Sequence, residues 1–396
     1  MRRAAVLVVL MLAACSAREQ ETAPRPQASA TRLLNATDAE GYARVLARRP
    51  FEFPADHASH DAYRSEWWYF TGNLHTDTGR HFGFELTFFR FALDPHPVAR
   101  ASAWATNQAW MAHLAVTDTD GGQFVAAERF SREALGLAGD QANPFRIWLE
   151  DWSVSADGPT LPPLHLRAAS DRAGLALTLD GDKPPVSHGD GGMDPKGPER
   201  GNASHYYSLT RLEATGTLSI DGASFDVAGS AWMDREWGTS ALSPELGGWD
   251  WFGLQLSDGR ELMYYRLRTR DGASSPYSGG SLVQPDGTRV GLSVDDVVLT
   301  PLAHWTSPET RTVYPVSWQL SLPREAMTLT VRPYLAAQEL NLTVRYWEGA
   351  VHVTGQQAGE ALGGHGYVEL TGYEGTGDTE RPGRSDAGAI AGDREP

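Results

Sequence analysis

Asp234 and Glu236 lie two residues apart in the run Ala231-Trp232-Met233-Asp234-Arg235-Glu236-Trp237-Gly238. On an extended strand that spacing directs both carboxyls to one side and Met233, Arg235 and Trp237 to the other. A carboxyl held among apolar and aromatic groups resists ionisation, so it can keep a proton near neutral pH and deliver it as a general acid. A second carboxylate beside it can hold a water. The indole faces of Trp67, Trp249 and Trp251 can stabilise a passing cation, each by about 1 to 2 kcal/mol when desolvated, and Trp68 and Tyr206 extend the aromatic set available to an apolar ligand. The structural alternative for Asp234-Arg235-Glu236 is an ion-pair cluster with Arg90, Arg211 or Arg266. Glu66, next to Trp67 and Trp68, reads as a buried acid paired to arginine, because burial without a partner is costly. His113 follows a predicted strand and is either a satisfied core histidine or a ligand contact. His205 follows the Gly- and Pro-rich stretch from Gly181 to Gly201, a loop of functional length, and is a third candidate for proton transfer.

Other chemistries find no support in the residues. Gly-x-Ser-x-Gly does not occur, and His188-Gly189-Asp190-Gly191-Gly192 is only a faint oxyanion-loop pattern, which leaves a hydrolase as a weak alternative. No His-Glu-x-x-His helix, EF-hand loop or nucleotide-binding glycine motif is present, so neither a metal nor another cofactor is expected. A formal charge of −16, from 34 Lys+Arg against 50 Asp+Glu in 396 residues, argues against a nucleic-acid partner.

The elements that must position these groups are strands. Phe82, Phe84, Leu86 and Phe88 alternate with Gly83, Glu85 and Thr87; Leu175, Leu177 and Leu179 with Ala176 and Thr178; Leu340, Leu342, Val344 and Tyr346 with Asn341, Thr343 and Arg345. Period two predicts strands with one buried face. Asp-Gly turns at Asp120-Gly121, Asp157-Gly158, Asp221-Gly222, Asp258-Gly259, Asp271-Gly272 and Asp286-Gly287 predict antiparallel hairpins, which avoid exposed edges by closing into barrels. Glu66-Trp67-Trp68-Tyr69-Phe70, a turn at Gly79-Arg80 and Phe88-Phe89-Arg90 are echoed by Trp249-Asp250-Trp251-Phe252, a turn at Gly259-Arg260 and Tyr264-Tyr265-Arg266. The chain is therefore predicted to be all-β, with two tandem domains over 50–243 and 244–373 that divide near Ser243-Pro244. The capping box Thr37-Asp38-Ala39-Glu40 with Tyr42, Val45 and Leu46 predicts one short helix over Asp38 to Arg48. Residues 374–396 read as a frayed tail.

Glu66-Trp67-Trp68-Tyr69-Phe70-Thr71-Gly72, Met111-Ala112-His113, Lys183-Pro184-Pro185, Asn202-Ala203-Ser204-His205-Tyr206-Tyr207-Ser208, the Asp234 run, Gly248-Trp249-Asp250-Trp251-Phe252 and Tyr346-Trp347-Glu348-Gly349 together resemble the lipocalin-like family of carotenoid 1,2-hydratases and its secreted relatives, from about His60 to Tyr373. The resemblance implies a pair of lipocalin-like antiparallel β-barrels and a cofactor-free hydratase or lyase acting on a long hydrophobic, isoprenoid or lipid-like, substrate where the barrels meet. Hydrating an isolated alkene needs a positioned acid, a surface that tolerates a tertiary cation and a directed water, and Asp234, the indoles and Glu236 match those needs. The rival reading is a non-catalytic carrier with one apolar ligand inside a barrel.

At the N-terminus, Met1-Arg2-Arg3, an apolar run from Ala4 to Ala14 and Leu12-Ala13-Ala14-Cys15 resemble a bacterial lipoprotein signal over 1–15, with Cys15 as the lipidated first residue of the mature chain. The expected location is extracytoplasmic, on a bacterial membrane, with 16–49 as tether and short helix. Lipidation at Cys15 makes a direct prediction: Cys15→Ser moves the protein from the membrane to the soluble fraction while its circular dichroism stays that of the wild type. Membrane retention of the serine variant contradicts it.

Overall fold

The computed structural model describes residues 28–29, 40–96, 100–239 and 242–374. Cys15, the capping box up to Ala39 and the tail beyond Glu374 lie outside the described residues, as does most of the tether. Two large sheets account for nearly everything else. In the first, the strands lie in the order Gln123–Arg132, Gln108–Asp118, His81–Ala92, Ser65–His75, Ala223–Gly238, Ala203–Ile220, Ala173–Asp180, Leu164–Ala169, Trp152–Ala156, Phe145–Leu149 and Ala138–Ala142. In the second, the order is Arg289–Ser293, Gly279–Val283, Glu261–Thr269, Leu246–Leu256, Glu360–Leu370, Val344–Gln357, Met327–Pro333, Val313–Leu322 and Val298–Thr306. The two orders share one plan: a four-stranded meander whose first strand pairs with the last strand of the domain. Ser243-Pro244 lies between the last strand of the first sheet and the first of the second.

Each sheet wraps around its own packed interior, and the first is a nearly closed barrel. Phe70, Phe84, Leu86, Phe88, Leu114 and Met233 fill the first interior with other apolar side chains, and Phe252, Leu254, Trp318, Leu329 and Val351 belong to the second. Further apolar clusters occupy the space between the barrels, where Tyr69, Tyr206 and Trp232 meet Trp251, Met263 and Tyr367. The strand His81–Ala92 therefore departs from the expectation of one buried face. Gly83, Glu85 and Thr87, the polar half of its alternation, are buried too, because the second barrel covers them. Ala173–Asp180 keeps the simple pattern, with Leu175, Leu177 and Leu179 inward and Ala176 and Asp180 exposed. The alternation from Leu340 to Tyr346 is not one strand but a tight hairpin, in which Leu340 faces Tyr346 and Asn341 faces Arg345. The even spacing survives because a short turn preserves the side to which each apolar residue points.

The predicted helix over Asp38 to Arg48 does not form in its described part: Glu40 to Arg48 runs as turn and irregular backbone, and the helical turns among the described residues are the 3-10 segments Ala55–His57 and Pro323–Glu325. Distant partners claim the segment. Tyr42 donates to the Ala92 carbonyl at 2.9 Å, the Ala43 amide to Ala62 at 2.8 Å, and Val45 is buried. A two- to three-turn helix is marginal by itself and yields to such contacts. Part of the tether is also structured, since Ala28–Ser29 pairs in parallel with Val344 and Arg345.

The echo between the halves has a structural basis. Glu66 lies directly across the ladder from Arg90, and Asp250 directly across from Arg266. Each acid takes a second arginine, Arg235 for Glu66 and Arg268 for Asp250 at 2.6 Å. Glu66, Arg90 and Arg235 are fully buried; burial opposes the Glu66 charge, but Arg235 and Arg90 hold its carboxyl well below the usual carboxylate range. Arg235 also donates to the Ala58 carbonyl at 2.6 Å, and Arg90 to those of His60 and Tyr63, so the triad pins the segment before the first long strand. Glu66→Ala leaves the buried Arg235 without a counter-charge and Arg90 with only the exposed Asp61 at 3.9 Å, and is expected to cost about 3 to 5 kcal/mol, read as a lower urea midpoint. A loss under about 1 kcal/mol would place the triad at the level of a surface pair.

Candidate functional site

Strand parity decides what faces the space between the barrels. Along Ser65–His75, Trp68 and Phe70 point into the first barrel, while Trp67 and Tyr69 point out towards the second. The ladder then sets two rows across five strands. Tyr206, Glu236, Trp67, Phe89 and Met111 form one row; Ser208, Asp234, Tyr69, Thr87 and His113 form the next. Trp249, Trp251, Tyr265, Tyr346 and Glu369 of the second sheet close the other side, and a cavity of about 160 Å³ lies between.

Asp234 and Glu236 share a face as their spacing required, and that face lines the cavity together with Trp67, Tyr206, Trp249, Trp251 and His113. Trp68 does not reach it. Its ring is fully buried inside the first barrel, stacked on Trp110 with centroids 5.5 Å apart and beneath the Arg235 guanidinium. His205 is also turned away, being adjacent in sequence to the cavity-facing Tyr206. It packs against Phe51, Tyr63 and Trp237 on the opposite side of the sheet.

The acids divide by their partners. No cation contacts Asp234 among the described residues: Arg90 is committed to Glu66, Arg211 to Glu261 and Arg266 to Asp250, which removes the ion-pair alternative for this residue. Its oxygens instead accept from Tyr206 Oη at 2.5 Å, Trp232 Nε1 at 2.6 Å and Ser208 Oγ. Burial pushes its carboxyl up to about 7, with those three donors opposing. Glu236 accepts from Ser204 Oγ at 2.5 Å and lies 3.2 Å from Lys196 Nζ. Burial raises Glu236, and the Lys196 ammonium works against that rise. Desolvation disfavours the buried Lys196 charge, yet Asp194 and Glu236 hold it well above its ordinary value.

Three further acids went unrecognised in the sequence. Glu85 is pushed by burial up to about 7, Glu369 by burial and the nearby Glu85 up to about 8, and Glu348 well above its usual range by burial. Glu369 accepts from Trp249 Nε1 at 3.1 Å and Glu348 from Tyr69 Oη at 2.5 Å. The signal for Glu348 and Tyr346 was present in Tyr346-Trp347-Glu348-Gly349, but Glu85 sat on what read as a solvent face. Behind Asp234, Ser208 Oγ lies 2.7 Å from His188 Nε2, and His188 Nδ1 lies 3.0 Å from Ser281 Oγ. Burial holds the His188 ring well below its ordinary value, so it is neutral. Each of the three has one transferable proton, and the chain can reverse its polarity as Asp234 gains or loses its own. No cluster of three or more His, Cys, Asp or Glu suited to a metal occurs among the described residues.

Two barrels of common plan with an acid- and indole-lined cavity between them define a tandem lipocalin-type protein. The chain belongs to the AttH-like family, whose model matches residues 44–373. That agrees with the resemblance to carotenoid-hydratase relatives carried by the motifs. An AttH-like protein of Nitrosomonas europaea is 32% identical, with 84% of this chain and 99% of that one aligned at a TM-score of 0.73. Kievitone hydratase of Nectria haematococca shares the fold at 16% identity, 84% and 96% coverage and a TM-score of 0.63. No curated protein matches the sequence.

The protonated acids make stability depend on pH in a definite sense. Asp234 and Glu369 bind protons more tightly folded than unfolded, so their contribution is complete below about pH 4 and is lost as pH rises through about 7 and 8. The double variant Asp234→Asn/Glu369→Gln should flatten the fall in urea midpoint between about pH 4 and about pH 8 relative to the wild type. Parallel curves for the two proteins contradict the assignment.

Proposed function

We propose that the protein is a cofactor-free hydratase of an apolar alkene, with Asp234 as its general acid. The observation that carries this reading is a carboxyl with no cationic partner among the described residues, kept protonated by burial up to about 7, on the wall of a cavity lined by indoles and phenols. Asp234 delivers its proton to one alkene carbon, breaking the π bond and leaving a tertiary cation. The faces of Trp251 and Tyr206 stabilise that charge, and the oxygen of a water held by Glu236 adds to the cation. The proton shed by that water returns to the Asp234 carboxylate. One C–H and one C–O bond form, one π bond and one water O–H bond break, and the acid is restored. Kievitone hydratase bears a hydration in its name and shares the fold, which supports this reaction class. The packed barrel interiors weigh against a carrier that stores its ligand inside a barrel. We place the reaction outside the cytoplasm, on a membrane that supplies apolar substrate and holds the protein through lipidated Cys15; the support is the N-terminal pattern of basic start, short apolar run and Leu12-Ala13-Ala14-Cys15.

Incubation with linear isoprenoid alkenes in ¹⁸O-labelled water, followed by mass spectrometry, should yield an alcohol containing the label. Asp234→Asn should lower that turnover by roughly 100- to 10,000-fold while ligand binding and melting temperature change little. Tight binding by the wild type with no labelled product would make it a carrier, and wild-type turnover in a folded asparagine variant would remove Asp234 from the mechanism.

A further inference from the structure

Further along the same wall as Asp234, two fully buried side chains each have a polar atom without a hydrogen-bond partner among the described residues: Glu85 Oε2 and His113 Nε2. Both residues line the cavity. Their remaining atoms are tied together, since Thr87 Oγ1 donates to Glu85 Oε1 at 2.6 Å and Tyr346 Oη lies 3.2 Å from that oxygen and 2.6 Å from His113 Nδ1. Burial holds the His113 ring down to about 3, so it is neutral and has one N–H.

Counting protons restricts what the free atoms can do. If Tyr346 donates to Glu85 Oε1, its oxygen accepts from His113 Nδ1–H and Nε2 is a bare lone pair. Glu85, protonated in this desolvated position, then carries its hydrogen on Oε2, because Oε1 already accepts twice. If Tyr346 donates to His113 Nδ1 instead, Glu85 donates from Oε1 to Tyr346, Nε2 carries the hydrogen and Oε2 is an acceptor. Either arrangement leaves one donor and one acceptor without a partner among the described residues, on two side chains that line the cavity. Thr87 pairs with His113 in the ladder and Glu85 with Ala115, so Glu85 and His113 are diagonal neighbours on adjacent strands, about 7 Å apart. A single hydroxyl, which both donates and accepts, can bridge them.

We propose that Glu85 and His113 form a docking point for a hydroxyl group that the ligand already carries when it enters. This rests on the inter-barrel cavity being the ligand site. Asp234, Tyr69, Thr87 and His113 succeed one another across four strands, which sets the docking point on the order of 14 Å from the acid along the sheet. The ligand is then an alcohol with an apolar, unsaturated chain, not a pure hydrocarbon, and its hydroxyl is remote from the double bond at Asp234.

The test compares binding of geranylgeraniol, its methyl ether and the corresponding hydrocarbon to the full chain at about pH 6, below the Glu85 titration, by quenching of tryptophan fluorescence. The alcohol should bind at least about tenfold more tightly than the hydrocarbon, with the ether, which can accept but not donate, between the two. His113→Phe and Glu85→Leu should each abolish the preference; two variants are used so that misfolding of one leaves the other to be read. Equal binding of alcohol and hydrocarbon, no binding of the alcohol, or a preference retained in either folded variant overturns the proposal. Because only binding is read, absence of hydration in these complexes counts against the reaction proposed for Asp234 and not against the docking point.

Discussion

Withdrawal of carboxyl groups from water between two sheets governs the chemistry of this protein. Glu66 and Asp234 are both buried and sit on neighbouring strands, but they end in opposite states. Glu66 meets two guanidiniums, and their attraction outweighs desolvation, so it is ionised. Asp234 meets only neutral donors, and desolvation prevails. A lone buried charge is too costly to keep, so such a group retains its proton. Burial alone therefore distinguishes nothing; the presence or absence of a fixed cation separates structural acids from acids that can donate a proton.

The alternation of strands turns this distinction into an arrangement in space. Adjacent residues face opposite sides, so Glu66 and Arg235 belong to the barrel interior, whereas Trp67, Asp234 and Glu236 belong to the cavity. One strand thus presents Arg235 to the buried ion cluster and Asp234 and Glu236 to the cavity without mixing them. This parity was legible in the sequence wherever the strand could be recognised. Their spacing alone puts Asp234 and Glu236 on one face, and the tryptophans beside Glu66 mark it as an arginine-paired acid. The same rule excludes Trp68 and His205, each adjacent to a residue that does face the cavity. Their motifs are rich in aromatics on both faces, and composition does not reveal which face the second barrel covers.

What the sequence concealed was long-range. Glu85 alternates with phenylalanines in a pattern that fits a solvent-facing position, and only the docking of the second barrel makes that face an interior. Lys196 lies in a loop without periodicity, so its contact with Glu236 depends on how that loop folds over the sheet. The segment after Glu40 carries local helix signals, but Tyr42 and Val45 gain more from partners distant in the chain. Hairpin punctuation and the aromatic echo are local signals repeated many times, and those carried the β architecture and its two halves.

The repeat explains why one cavity holds acids of different character. If Asp250 is matched to Glu66, then Trp251 matches Trp67, and the ladder places Glu369 opposite Trp251 as it places Glu236 opposite Trp67. One strand further, Tyr206 pairs with Glu236 and Glu348 with Glu369. The two halves therefore present equivalent carboxyls from opposite walls. The connection from Gly181 to Asn202 in the first half brings Lys196 to Glu236, whereas the matching connection in the second half, from Tyr334 to Thr343, contains no lysine. Glu369 receives an indole N–H in place of an ammonium, and its carboxyl is pushed up to about 8. The longer connection of the first half thus breaks the symmetry of the framework, giving Glu236 a cation while Glu369, on the opposite wall, has only an indole donor, and the two equivalent carboxyls differ in character for that reason.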